Sequence, residues 1–464
     1  MTLIKSISGI RGTIGGKSGD TLSPYDVVKF AAAYGTWLKQ QSDNKKVIIG
    51  RDARQSGEVI SQIVISTLRS LGLNVVNLGL STTPTVELAV MHEGAAGGII
   101  LTASHNPGNW NALKLLNSKG EFVSAEASKE ILTLSESNDI EFVASQNIGK
   151  LTHMDYIDKH IEMILAMPIV NVEAIRQKNF RVIVDAVNST GGIAVPRLLK
   201  ALGVAEVEEL YCDPNGAFPH NPEPLPENLT AISSKIESGN YHLGIVVDPD
   251  VDRLALICED GTPFGEEYTL VSVADYVLRK EKGNTVSNLS STRALRDITE
   301  KAGAEYFASA VGEVNVVEVM KAQNAVIGGE GNGGVIYPAL HYGRDALIGI
   351  ALFLSNLAEF EGSTSRLRLT YPNYTISKNK IELTPDIDVD GILAKIQEKY
   401  KDQPINTVDG VKIEFEKEWV HLRKSNTEPI IRIYSEADSP ATSEYLANKI
   451  ISDIKEIIAF KAEE

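Results

Sequence analysis

Short apolar runs alternate with amphipathic stretches along most of the chain, and three stretches repeat one grammar. Each reads as an apolar strand, a polar loop, an amphipathic helix closed by a small residue and glycine, and a second strand. The first runs Val47-Ile48-Ile49, Gly50-Arg51-Asp52-Ala53-Arg54, a helix to Leu71-Gly72, and Val75-Val76. The second runs Arg181 to Val184, Asp185 to Ser189, a helix through Leu198-Leu199 to Leu202-Gly203, and a strand near Val207. The third is less apolar, with Val286, Leu289 to Thr292, a helix around Leu295 to Ala302-Gly303, and Tyr306-Phe307. Strands alternating with helices of this length predict parallel sheet, with ligands at the carboxyl ends of the strands.

The pattern changes after Tyr371-Pro372. Strands at Ile376 to Leu383, Val411 to Phe415, Trp419 to Leu422 and Ile430 to Tyr434, a helix around Ile392 to Tyr400 and a closing helix Ser443 to Phe460 predict an α+β domain with antiparallel strands. The expected architecture is three related α/β domains with mixed, largely parallel sheets, residues 1–150, 151–255 and 256–370, plus a C-terminal α+β domain, 371–464. A length of 464 residues suits three or four such units at ~150 residues each.

Composition narrows the function classes. A formal net charge of −16 without a lysine/arginine block excludes nucleic acid and anionic membranes as partners, and no apolar run approaches the ~18 residues of a membrane span. Two distant cysteines, Cys212 and Cys258, fit a reducing compartment and no zinc site. Residues Met1 to Gly9 lack the features of a secretory signal, so the expected location is the cytoplasm. The negative field also means that any phosphate site has to be built locally, from arginines and backbone N–H groups.

Four segments carry candidate chemistry. Thr102-Ala103-Ser104-His105-Asn106-Pro107 follows the apolar strand Gly98 to Leu101, which is an active-site address, although the same residues also suit an Asx or ST turn. Neither flank of Ser104 is glycine, unlike the nucleophile elbow of serine hydrolases. Asp248-Pro249-Asp250-Val251-Asp252-Arg253 leaves the buried run Leu243 to Val247, and its three carboxylates at alternate positions can converge on a hard cation. The spacing is not that of an EF-hand, so Mg²⁺ is the expected ion. Gly328 to Gly334 reads as a glycine-rich loop without a P-loop lysine, in which Glu330 and Asn332 suit sugar hydroxyls. Finally Arg423-Lys424-Ser425-Asn426-Thr427-Glu428-Pro429, with Arg432 close behind, offers a cradle for a phosphate dianion.

In this order, and with Ser8-Gly9-Ile10-Arg11-Gly12, Gly50-Arg51-Asp52, Asn221-Pro222-Glu223-Pro224 and Gly343-Arg344-Asp345 between them, these motifs resemble the α-D-phosphohexomutases over essentially the whole chain. The resemblance implies four domains around one cleft, and a hexose phosphate substrate turned over by way of a phosphorylated Ser104. It implies Mg²⁺ held by Ser104, Asp248, Asp250 and Asp252, with Arg253 reinforcing it. Lys114 would be the general acid or base, which for a lysine calls for a depressed pKa, with His105 and Arg11 near the reacting groups. Arg423, Ser425, Asn426, Thr427 and Arg432 would hold the phosphate that is not reacting, and a hexose bisphosphate would serve as intermediate and activator.

One stretch departs from a common family pattern. Bacterial relatives often read Glu-x-Ser-Gly-His in the sugar loop, whereas this chain reads Glu330-Gly331-Asn332-Gly333-Gly334. That form resembles the branch assigned to glucosamine phosphate, so an amino-sugar phosphate is the expected substrate, for a monomer or homodimer. Mannose or glucose phosphate is the alternative, and a metal-dependent phosphatase with an aspartyl nucleophile is the rival from another class.

Overall fold

In the computed structural model, which describes residues 2–6, 9–137, 139–383, 387–424 and 430–462, the apolar runs form the strands of four sheets. The first is seven-stranded, in the order Ile4–Ser6, Gly9–Thr13, Trp110–Leu116, Gly97–Leu101, Lys46–Arg51, Asn74–Leu80, Leu151–His153. Lys46–Arg51 lies parallel to both Gly97–Leu101 and Asn74–Leu80, while Trp110–Leu116 returns antiparallel and sets Lys114 opposite Ile100. The second and third sheets are four-stranded. Each holds parallel strands and one antiparallel edge strand, Leu254–Cys258 in the second and Gly334–Ile336 in the third. The fourth is five-stranded and antiparallel. This is the expected architecture of three mixed α/β units and a C-terminal α+β unit.

Local chemistry explains why the elements start and stop where they do. Ser23 caps the helix Pro24–Gln41 in a capping box with Asp26, with proline in the first turn. The helix Gly191–Leu202 ends on Gly203 at φ +83°, a left-handed stop that glycine takes without cost. Asp345 caps the helix Ala346–Glu359, accepting from the N–H groups of Leu347 and Ile348. Nearly every residue of that helix is buried, so it has no polar face and acts as the pillar of one continuous core joining the second and third sheets. The first sheet and the C-terminal unit keep separate cores. Among the described residues no helix is long and apolar enough to cross a membrane.

The glycine-rich stretch is a correction. In place of the loop that the sequence predicts from Gly328 to Gly334, Ile327–Glu330 is a strand paired antiparallel with Gly334–Ile336, leaving a tight hairpin turn at residues 331–333. Gly328 is there for close packing, since a Cβ would stand 2.6 Å from Met320 Sδ and 2.8 Å from the Val286 carbonyl.

Candidate active site

The strand Leu243–Val247 is buried along its whole length and delivers Asp248, Asp250 and Asp252, all fully buried, to its carboxyl end. Val251 adopts φ +63°, a conformation that β-branched residues rarely take, and the turn it makes brings the three carboxylates within 4.8 Å of one another. Asp248 Oδ1 accepts from the N–H groups of Asp252 and Arg253, at 3.2 Å each. Burial, then Asp252 and Asp250, push the Asp248 carboxyl well above its ordinary pKa. Asp250 Oδ1 and Asp252 Oδ1 are buried with no hydrogen-bond partner among the described residues. Unpaired buried carboxylate oxygens are costly, and a set of hard oxygen donors with spare lone pairs fits Mg²⁺.

Ser104 sits beside this cluster, its Oγ donating to Asp248 Oδ2 at 2.8 Å. Ser104 too is left-handed, at φ +48°, so the serine loop and the aspartate loop each carry one strained residue. The loop that holds Ser104 is organised by a residue with no assigned role in the sequence reading, Arg54. Its guanidinium is buried, binds Asp52 through Nε at 2.9 Å, and donates to the carbonyls of Ser104, Asn106, Pro107 and Trp110. Asp52 also accepts from Thr102 Oγ, which in turn accepts the Ser104 N–H. From the next helix, Thr83 donates to Asp250 Oδ2 at 2.6 Å and ties the first unit to the aspartate loop of the second.

Lys114 reaches the same cluster, its Nζ 2.7 Å from Asp250 Oδ2 and 3.5 Å from Asp252 Oδ2. The expected depression of its pKa is corrected: burial lowers it, but Asp250 and Asp252 outweigh burial and raise it above the ordinary lysine value. For Asp250, burial is likewise outweighed by Lys114, which holds the carboxyl low. His105, with Nδ1 3.4 Å from Ser104 Oγ, is neutral because burial and then Arg253 drive its pKa down to about 2. Burial and the like charge of Arg253 also lower Arg11, which lines the same wall from the strand Gly9–Thr13. Arg253 itself lies 3.6 Å from Glu223, in the Asn-Pro-Glu-Pro segment.

On the third unit, Glu330 is fully engaged. Its Oε1 accepts from Asn288 and the Gly312 N–H, and its Oε2 pairs with Arg344 at 3.0 Å. Arg344 is the second residue that lacked a role in the sequence reading. It also binds Asp252 at 2.7 Å and Glu313 at 3.0 Å, linking the aspartate loop to the hairpin. Its stem passes over Gly334, where any Cβ would overlap its Cδ, which is why no larger residue stands there. Asn332 lines the cleft and accepts the Gly334 N–H.

From the fourth unit, Arg423 and Arg432 are cross-strand partners on the same face, as are His421 and Tyr434, and all four line the cleft. Asp409 steadies Arg423 at 2.9 Å and accepts the N–H of Val311 in the third unit. Ser425, Asn426 and Thr427, like Ser8 of the N-terminal motif, lie outside the described residues. The cleft that gathers these groups measures about 1150 Å³, beyond the usual ~300–1,000 Å³ of small-molecule sites.

Comparison with known proteins accords with this geometry. Models of the phosphoglucomutase/phosphomannomutase α/β/α domains I, II and III match residues 3–141, 156–261 and 265–374, and the model of the C-terminal domain matches 383–452. A phosphoglucomutase/phosphomannomutase of Thermococcus kodakarensis is 36% identical over 94% of this chain and 96% of its own. A phosphoglucosamine/phosphogalactosamine mutase of Sulfurisphaera tokodaii is 32% identical over 98% of each chain. The crystal structure of a phosphoglucomutase/phosphomannomutase family protein from Burkholderia thailandensis superposes with a TM-score of 0.83 at 25% identity, covering 98% of both chains.

Proposed function

The chain belongs to the phosphoglucomutase/phosphomannomutase family, the α-D-phosphohexomutases, and from that premise we propose that it interconverts glucosamine 6-phosphate and glucosamine 1-phosphate through a phosphorylated Ser104. Membership makes it a Mg²⁺-dependent phosphohexomutase, an isomerase that moves a phosphoryl group between hydroxyls of one hexose. The observation that carries the mechanism is the Ser104 hydroxyl, held at 2.8 Å on Asp248 at the edge of the buried three-carboxylate cluster.

Asp248, Asp250 and Asp252, with the Ser104 phosphate, would hold Mg²⁺, which when bound supplies Lewis-acid neutralisation of the transferring group. In the forward step the bond between phosphorus and Ser104 Oγ breaks, a bond from phosphorus to the free sugar hydroxyl forms, and one proton passes from that hydroxyl to Ser104 Oγ. Lys114, kept charged by Asp250 and Asp252, would act as the acid, giving its proton to Ser104 Oγ and regaining one from the sugar hydroxyl. Neutral His105 hydrogen-bonds near the serine, and Arg11 and Arg253 supply positive charge for the phosphoryl oxygens. The bisphosphate then turns end for end, and its other phosphate passes to Ser104. Arg423 and Arg432, with Ser425, Asn426 and Thr427, would grip the phosphate that is not reacting in either orientation. A trace of hexose bisphosphate primes the serine. Division of the chain at about residues 150, 255 and 370 gives each unit one of these parts.

The amino-sugar assignment is supported by the acidic wall of the third unit, where Glu266, Glu267, Glu313 and Glu330 face the cleft, and by the Sulfurisphaera tokodaii relative. The Thermococcus kodakarensis relative favours a second reading, glucose and mannose phosphates. Turnover of glucosamine, glucose and mannose 6-phosphates, side by side with Mg²⁺ and a trace of matching bisphosphate, separates them. Highest kcat/KM for glucosamine 6-phosphate is the expected result, and preference for either neutral sugar would overturn the assignment.

A further inference from the structure

Among the described residues six glutamates and aspartates line the open cleft, Glu223, Glu266, Glu267, Glu313, Glu330 and Asp409, and five of them face a cation of the protein. Glu223 pairs with Arg253, and Glu266 with Lys378. Glu313 and Glu330 share Arg344, and Asp409 holds Arg423. Glu267 stands apart. It lies in the first turn of the helix Glu266–Lys280 and is partly buried, and among the described residues its carboxylate accepts one hydrogen bond, from the Thr292 N–H to Oε2 at 2.9 Å. Lys378, the nearby lysine, has its ammonium bound to Glu266.

Its position ties it to the sugar hairpin. A Cβ at Gly331 would overlap both carboxylate oxygens of Glu267, so glycine at that turn lets the carboxylate lie directly against the loop that carries Glu330 and Asn332. The surroundings penalise the unpaired charge, since burial pushes the carboxyl well above its ordinary pKa, with Glu266 adding to the shift and Lys378 opposing it. A ligand cation would offset that penalty by charge as well as by hydrogen bonds, a neutral hydroxyl by a hydrogen bond alone.

We propose that Glu267 is a specificity-determining residue that receives the ammonium of an amino-sugar phosphate bound against the hairpin. The proposal rests on the amino-sugar reading of the site, and adds to it the carboxylate of the wall that, among the described residues, forms no ion pair and shares the pull of Lys378 with Glu266. Glu330, saturated by Asn288, Gly312 and Arg344, keeps its contacts when either class of sugar binds.

The test is the Glu267→Gln variant assayed beside wild type on glucosamine 6-phosphate and glucose 6-phosphate. Glutamine keeps an oxygen for the Thr292 N–H and removes only the charge, so glucose 6-phosphate turnover serves as the control for folding. The expected result is a fall of about 10–100-fold in kcat/KM for glucosamine 6-phosphate, carried mainly by KM, with glucose 6-phosphate changed less than about twofold. An equal fall on both sugars, or no change in their ratio, overturns the role of Glu267 whichever sugar wild type prefers. Wild-type preference for glucose 6-phosphate overturns the substrate assignment instead, and the proposal for Glu267 then stands only if the variant still lowers the glucosamine-to-glucose ratio.

Discussion

Replacing Arg54 with alanine tests whether the serine loop is held from beneath rather than by its own turn chemistry. The guanidinium binds Asp52 and donates to four loop carbonyls, all in a pocket where neither side chain of the pair meets solvent. Removing one partner of a buried ion pair costs ~3–5 kcal/mol, because the other charge is left uncompensated. Burial already raises the Asp52 carboxyl against the opposing pull of Arg54, so in the variant that group protonates and its bond from Thr102 weakens. A loss of that size lowers the melting temperature of a domain this large by on the order of 10 °C. Loosening the loop by ~1 Å also costs ~10²-fold in kcat. Calorimetry and steady-state kinetics read the two effects. Arg54→Lys, with three donors in place of five, falls between. A melting point within about 2 °C of wild type, together with kcat within about twofold, would refute the assignment.

Chelation with EDTA abolishes turnover and added Mg²⁺ restores it, while Asp250→Asn raises the Mg²⁺ concentration needed for half-maximal activity; unchanged activity after exhaustive chelation would contradict the cluster's assignment. Gly334→Ala drives a methyl group into the Arg344 stem at a cost of ~1–3 kcal/mol, so kcat/KM falls about tenfold as Arg344 leaves Glu330 and Asp252; wild-type kinetics would show that the close approach is dispensable. His341 is buried between Asp345 and Glu87; burial lowers its pKa, but those carboxylates outweigh it and raise it from 6.5 to about 10, while burial lifts Glu87 from 4.5 to about 8. Both groups bind protons more tightly in the folded state, so their contribution is full at low pH and is lost as pH rises, for His341 between about 6.5 and 10. Unfolding free energy measured in urea therefore declines from pH 6.5 to 9.5, and His341→Gln flattens the decline; an unaltered slope would assign the titration elsewhere.

Much of this was legible in the chain because buried parallel strands advertise themselves. Gly97–Leu101 and Leu243–Val247 are unbroken apolar runs, so the polar residues that follow, Ser104 and Asp248, could be placed at strand ends. Glycine misled where it marks close packing and not a turn. Gly328 and Gly329 lie within a strand, and only residues 331–333 turn the chain. The roles of Arg54 and Arg344 were invisible for another reason: each gathers groups brought together only by the fold, so no local spacing distinguishes them from surface arginines. The sign of the Lys114 shift was hidden in the same way, since Asp250 arrives from a different sheet.

The most direct measurement is transfer of labelled phosphate from a ³²P-labelled glucosamine 1,6-bisphosphate to the protein, followed by peptide mapping and a chase with unlabelled glucosamine 6-phosphate. The account predicts label on Ser104 that the chase carries into sugar phosphate, and none on the Ser104→Ala variant, which has lost turnover. Label on Asp248, or undiminished turnover by Ser104→Ala, would contradict it.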